Sequence, residues 1–112
     1  MDIPRVDWSK MAWRTVRPGI ERKAFTGKGA TLSLNRISPG HQPDPHSHPH
    51  EQIVYILDGE VDLVVGGKTY RLGPGSLMCI PPHVEHYAKA VIGTKPCLNL
   101  DVFSPARPEY VV

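Results

Sequence analysis

The chain carries six histidines, gathered in two short clusters. The first is Gly40-His41-Gln42-Pro43-Asp44-Pro45-His46-Ser47-His48-Pro49-His50-Glu51-Gln52, and the second is Pro81-Pro82-His83-Val84-Glu85-His86. His46, His48 and Gln52 are separated by even numbers of residues, so extended chain projects them from one face. An imidazole arriving from the second cluster then completes a donor set around one ion. Neutral imidazoles suit a divalent transition metal (nickel, zinc, iron, manganese, copper or cobalt), and a glutamine oxygen is a serviceable hard fourth donor. A lone histidine is ordinarily a core or surface residue; a His-x-His pair inside the chain is a stronger metal signal. Glu51 is one residue out of step with Gln52, and a one-residue slip sends a strand side chain to the opposite face. The set therefore stays neutral. A divalent ion in it keeps a charge near +2, a stronger Lewis acid and a better seat for an anion than a carboxylate-ligated ion.

Positioning such a set falls to short strands. The chain of 112 residues holds 12 prolines and 10 glycines, which leave little room for long helices. Thr31-Leu32-Ser33-Leu34-Asn35 alternates polar and apolar residues, as a half-buried strand does, and stops at Ser38-Pro39-Gly40. Gln52 to Leu57 is rich in β-branched and aromatic residues. Asp58-Gly59 then signals a hairpin into Val61 to Val65. Gly66-Gly67 turns the chain into Lys68 to Leu72, and Gly73-Pro74-Gly75 precedes Ser76 to Ile80. His86 to Ile92 and Cys97 to Phe103 complete the series. Seven or more short strands at roughly ten-residue spacing predict an all-β fold, a small antiparallel barrel or jelly roll. Residues 1–112 read as one domain. Residues 1–25, with Trp8 and Trp13, read as an arm that packs on the barrel or on a partner subunit. The basic residues Lys10, Arg14, Arg17, Arg22 and Lys23 of this arm read as a solvated face, and Cys79 reads as a small buried hydrophobe.

Composition narrows the partners. Thirteen Lys+Arg against 11 Asp+Glu give a net charge of +2, with no basic block or aromatic platform to favour nucleic acid. No apolar run approaches the ~20 residues of a membrane helix. The opening Met1-Asp2-Ile3-Pro4-Arg5 is unlike a secretory signal, and two cysteines without one fit a reducing cytoplasm.

The run Gly40-(five residues)-His46-x-His48-(three residues)-Gln52-(six residues)-Gly59 resembles the first motif of the cupins. Gly73-Pro74-Gly75-(five residues)-Pro81-Pro82-His83-Val84-Glu85-His86 resembles the second. The resemblance implies a metal held by His46, His48, Gln52 and His86 inside the β-fold, leaving His41, His50 and His83 outside the ligand set. It also implies pairing into a homodimer through an edge and an outer apolar face.

In the terminal run Cys97 to Arg107, Leu98, Leu100 and Val102 form one row and Asn99, Asp101 and Phe103 the other. The polar row faces either water or a cavity. His-x-His-Pro-His-Glu-Gln with a terminal Asp-x-Phe-Ser-Pro-x-Arg is similar to the pectin-degradation cupins, which linearise 4,5-unsaturated uronates. That similarity implies roles for Asp101 in moving a proton, Arg107 in gripping a carboxylate, and Phe103 in walling the sugar. The expected partner is a small anionic substrate, a sugar acid. Two rival readings stand beside it: an oxygenase of the same fold acting on a diketone or catechol-like substrate, and a binding module that converts nothing.

Overall fold

Glycine and proline punctuation cuts the chain into nine strands in the structure, a computed structural model that describes residues 1–110. They are β1 (Arg14–Arg17), β2 (Ile20–Thr26), β3 (Thr31–Ile37), β4 (Glu51–Asp58), β5 (Glu60–Val65), β6 (Lys68–Leu72), β7 (Leu77–Ile80), β8 (His86–Ile92) and β9 (Cys97–Ser104). One-turn 3-10 helices cover Trp8–Lys10 and Pro108–Tyr110. Among the described residues no helix is long and apolar enough to cross a membrane.

The strands form a six-stranded sheet in the order β1-β2-β3-β9-β4-β7 and a three-stranded sheet in the order β6-β5-β8. Every pairing is antiparallel. The all-β jelly roll expected from the strand spacing is present, as two separate sheets rather than one closed barrel. At the β4–β5 hairpin Gly59 has φ 78°, and a Cβ there would lie 2.6 Å from the Pro96 carbonyl oxygen, so only glycine fits.

The apolar core lies at one end of the space between the sheets, where Ile56, Val61, Ile80 and Cys97 are no more than 1% exposed. Burying each such aliphatic side chain contributes about 1.5–3 kcal/mol. Toward the other end the inward rows become polar. Thr31, Ser33 and Asn35 of β3 point inward, as do Asn99 and Asp101 of β9. Their neighbours Leu32, Leu34, Leu98, Leu100 and Val102 form the half-buried outer row, which continues into exposed Ile53, Leu57 and Leu77. Of the two settings the sequence left open for the polar row of β9, water or a cavity, it takes the cavity, and the apolar row lies outward.

The segment expected as an arm supplies β1 and most of β2, and β2 pairs with β3 from Ile20↔Ile37 to Thr26↔Thr31. Lys23 is buried rather than solvated: its ammonium donates to the Trp8 carbonyl at 2.8 Å and lies 4.6 Å from the Trp13 ring centroid. Arg36 stacks on the same indole at 4.4 Å. Cys79 is exposed, correcting its reading as buried. It pairs with Ile53 on the outward row of β7, one residue away from fully buried Ile80.

Candidate metal centre

The loop between β3 and β4 is fastened to the start of β8 by backbone hydrogen bonds. His46 N–H donates to the His86 carbonyl at 3.2 Å, and His86 N–H donates back at 2.9 Å. His83 N–H donates to the His48 carbonyl at 2.8 Å. His83 has φ 67°, a left-handed conformation unusual outside glycine, at the turn that delivers this contact. Pinned this way, the rings of His46, His48 and His86 converge, with centroids 4.5 Å apart for His46 and His86 and 4.8 Å for His48 and His86. A ligand nitrogen from each lies within 4.8 Å of the others, so the three are placed to hold one metal ion. His48 and His86 are buried, and His46 is the most accessible of the three. Gln52, the second residue of β4, brings its Oε1 to 3.0 Å from His48 Nε2, while Glu51 points to solvent.

The protonation pattern supports a cation at this point. His46 Nδ1 lies 2.7 Å from the Asp44 carbonyl oxygen, His48 Nδ1 3.0 Å from that of His50, and His86 Nδ1 2.8 Å from that of Val84. A carbonyl only accepts, so all three Nδ1 atoms carry the hydrogen and all three Nε2 atoms present lone pairs. His86 Nε2 is buried without any hydrogen-bond partner. His48 Nε2 and Gln52 Oε1 face each other as two acceptors, an arrangement a shared cation resolves. Burial, reinforced by the neighbouring imidazoles and Arg107, pushes the His86 imidazole down to about 4, and burial also lowers His48. Both are therefore neutral and available as donors at neutral pH.

His46, His86 and Gln52 line one end of a cavity of about 410 Å³. Asp101 and Phe103 of β9, Arg107 beyond it, and Arg22 of β2 line the remainder with Asn35 and Asn99. Asp101 accepts from the Asn35 amide at 2.8 Å through Oδ2 and from the Asn99 amide at 2.8 Å through Oδ1. The Gln52 amide is a further donor to it. Burial nevertheless raises the Asp101 carboxyl to about 6, against the stabilisation by those amides and by Arg22. Asp101 thereby orients Gln52, taking its N–H so that its carbonyl oxygen faces the imidazoles.

Phe103 is 2% exposed and meets His48 edge-on at 5.5 Å. The Arg107 guanidinium stacks over Phe103 at 4.8 Å and over Tyr110 at 4.2 Å. Its Nε donates to Glu109 at 3.0 Å, and its Nη1 is buried without a partner. Six of the seven residues singled out from the sequence therefore border one space, and His48 lies behind them against His86 and Phe103. His41 does not join them: its Nε2 donates to the Ala88 carbonyl at 2.7 Å. Arg17 and Arg22 correct the solvated-face reading, since both line the cavity. The missed signal is parity, for Arg22 stands between inward-facing Ile20 and Ala24.

Residues 33–103 match the family model described as Cupin domain, and the chain belongs to the cupins. It is 38% identical over 79 residues to the L-ectoine synthase of Vibrio cholerae, covering 70% of this chain and 55% of that enzyme. The chain thus spans about half the length of that relative. Among solved structures it is similar to an RmlC-like cupin from Shewanella frigidimarina, with a TM-score of 0.85 and 25% identity over 95% of this chain and 94% of the other. It is also similar to KdgF from Halomonas sp., with a TM-score of 0.83 and 30% identity over 92% of this chain and 94% of that one.

Proposed function

We propose that this cupin is a metal-dependent enzyme that opens and tautomerises 4,5-unsaturated uronates to the linear keto acid. The observation that carries the reading is that two imidazoles of the three-histidine site, a buried carboxyl and an arginine with an unsatisfied Nη1 border one cavity of about 410 Å³. That volume suits a monosaccharide acid. The similarity of the histidine motifs and of Asp101, Phe103 and Arg107 to the pectin-degradation cupins names the substrate class.

The reaction is an isomerisation. The hemiacetal hydroxyl loses a proton, the ring C–O bond breaks to leave an aldehyde, the ring oxygen departs as an enolate, and the alkene carbon gains a proton as that oxygen becomes the keto carbonyl. Atoms and electrons balance without an oxidant. His46, His48, His86 and Gln52 would hold the ion, which when bound supplies Lewis-acid stabilisation of negative charge on oxygen. On this reading Asp101 takes the hemiacetal proton on a carboxylate oxygen and delivers one to carbon. Arg107 holds the substrate carboxylate with its free Nη1, and a charged two-pronged contact orients as well as binds. Phe103 forms the apolar wall and keeps water from the ring. The homodimer expected from the sequence belongs to the proposal, with the outer apolar row of the six-stranded sheet as the contact.

The test is a spectrophotometric assay on 4,5-unsaturated galacturonate with metal-loaded protein. Loss of the conjugated-alkene absorbance, without oxygen uptake and abolished in His46→Ala, is the expected result. Oxygen consumption points to the oxygenase reading, and binding without conversion to the binding-module reading. The identity to L-ectoine synthase over 70% of the chain favours a second reading, synthesis of ectoine. Formation of ectoine with no uronate conversion would establish it instead.

A further inference from the structure

Arg22 is a residue of β2, far in sequence from both histidine clusters, and no motif assigns it a role. Its guanidinium stacks on the Tyr110 ring at 3.8 Å, and that of Arg107 stacks on the same ring at 4.2 Å. The carboxyl-terminal 3-10 turn thus gathers two cations on one aromatic side chain, at the wall of the cavity that also borders His46, Gln52 and His86. Two like charges held together are costly unless something neutralises them. Arg107 gives its Nε to Glu109, yet leaves Nη1 buried and unpartnered. Among the described residues Arg22 makes a single long hydrogen bond, from Nε to Asn35 Oδ1 at 3.4 Å. Burial, with repulsion from Arg107 and Arg17, lowers the affinity of Arg22 for its proton despite Tyr110 and Asp101. Among the described residues the guanidinium donors therefore exceed the acceptors offered to them.

We infer that Arg22 and Arg107, held on Tyr110, form a two-arginine subsite that binds a carboxylate and selects acidic over neutral sugars. This rests on the cavity being the sugar-acid site proposed above, and adds a residue and a basis for specificity to it. Stacking on Tyr110 fixes both planar groups before the ligand arrives, so little ordering is left to binding. Arg22 is a specificity-determining residue here, with no part in proton transfer.

The experiment is calorimetric titration of the metal-loaded protein with galacturonate and with its neutral methyl ester. Wild type should prefer the acid, and Arg22→Gln should lose about tenfold or more of that preference. The expected change is in binding of the acid alone, with the ester unmoved. Arg22→Lys should recover part of the preference, since charge is kept and the planar fork is lost. Tyr110→Ala should weaken the acid as well, by freeing both guanidiniums. Circular dichroism and metal content identify any variant that has lost the fold. Equal affinity of wild type for acid and ester would overturn the inference, as would an unchanged preference in a folded Arg22→Gln. Arg22-dependent acid binding with no turnover would refute the proposed reaction and leave the subsite standing. Turnover with selectivity indifferent to Arg22 would do the reverse.

Discussion

Acidifying the metal-free protein should set two buried groups of the cavity against each other, and removing one should expose the other. His86 has an ordinary value of 6.5 and is pushed down to about 4 by burial, with His46, His48 and Arg107 facing it. Its unfolded form therefore binds a proton that the folded form refuses, so stability falls as pH drops below 6.5. From pH 7.5 to pH 5 this costs about 2 kcal/mol. Asp101 runs the other way: its carboxyl rises from 3.8 to about 6, so the folded form binds the proton first. That contributes stability at low pH which is lost as pH climbs through 6, about 1.4 kcal/mol over the same interval. These two groups together should then cost the wild-type apoprotein less than about 1 kcal/mol between pH 7.5 and pH 5, with His48, also lowered by burial, adding a loss common to every variant. Asp101→Asn cannot titrate; its NH2 meets one of the amides that donate to Asp101, which lowers stability at both pH values alike, and the loss between them should rise by the ~1.4 kcal/mol that Asp101 contributes. The assay is urea denaturation followed through Trp8 and Trp13 fluorescence, at both pH values, after chelation. A slope in Asp101→Asn no steeper than in wild type would refute the reasoning, as would a slope in the double variant with His86→Asn no shallower than in Asp101→Asn alone.

Other outcomes follow from the same contacts. Gln52→Glu replaces the amide that donates to Asp101 with a second carboxylate. It should lower the stability of metal-free protein by about 1–3 kcal/mol at neutral pH, with much of the loss restored by metal, read as a melting shift with and without zinc. Ile56→Ala, at a position 1% exposed in the apolar end of the interior, should cost about 2–4 kcal/mol in urea unfolding while leaving metal stoichiometry unchanged.

The strand pattern and the ligand spacing were legible because both are local. Turn signals such as Asp58-Gly59 and Gly66-Gly67 bound the strands closely, and His46, His48 and Gln52 share parity along one stretch of chain. What local pattern cannot carry is which face of a strand is inside. Leu32, Leu34, Leu98 and Leu100 look like core, yet they form the outer row, and the inward row is Thr31, Ser33, Asn35, Asn99 and Asp101. An interior that holds a polar cavity inverts the usual alternation. Arg22 is a neighbouring case: within a basic stretch it reads as solvated, although its parity with Ile20 and Ala24 and its pairing with Asn35 turn it inward. Tyr110 joins the site through a fold-back of the terminal turn, for which sequence spacing offers no cue. Cys79 shows the converse, an apolar-looking strand position that parity places outside.

The central claim is that His46, His48 and His86 bind one ion through Nε2, with Gln52 beside them. Metal analysis combined with X-ray absorption tests it most directly. One divalent transition metal per chain, an all nitrogen and oxygen shell dominated by imidazole, and loss of the ion in a folded His86→Ala are expected. A sulfur ligand, or full metal occupancy retained in folded His86→Ala, would contradict it.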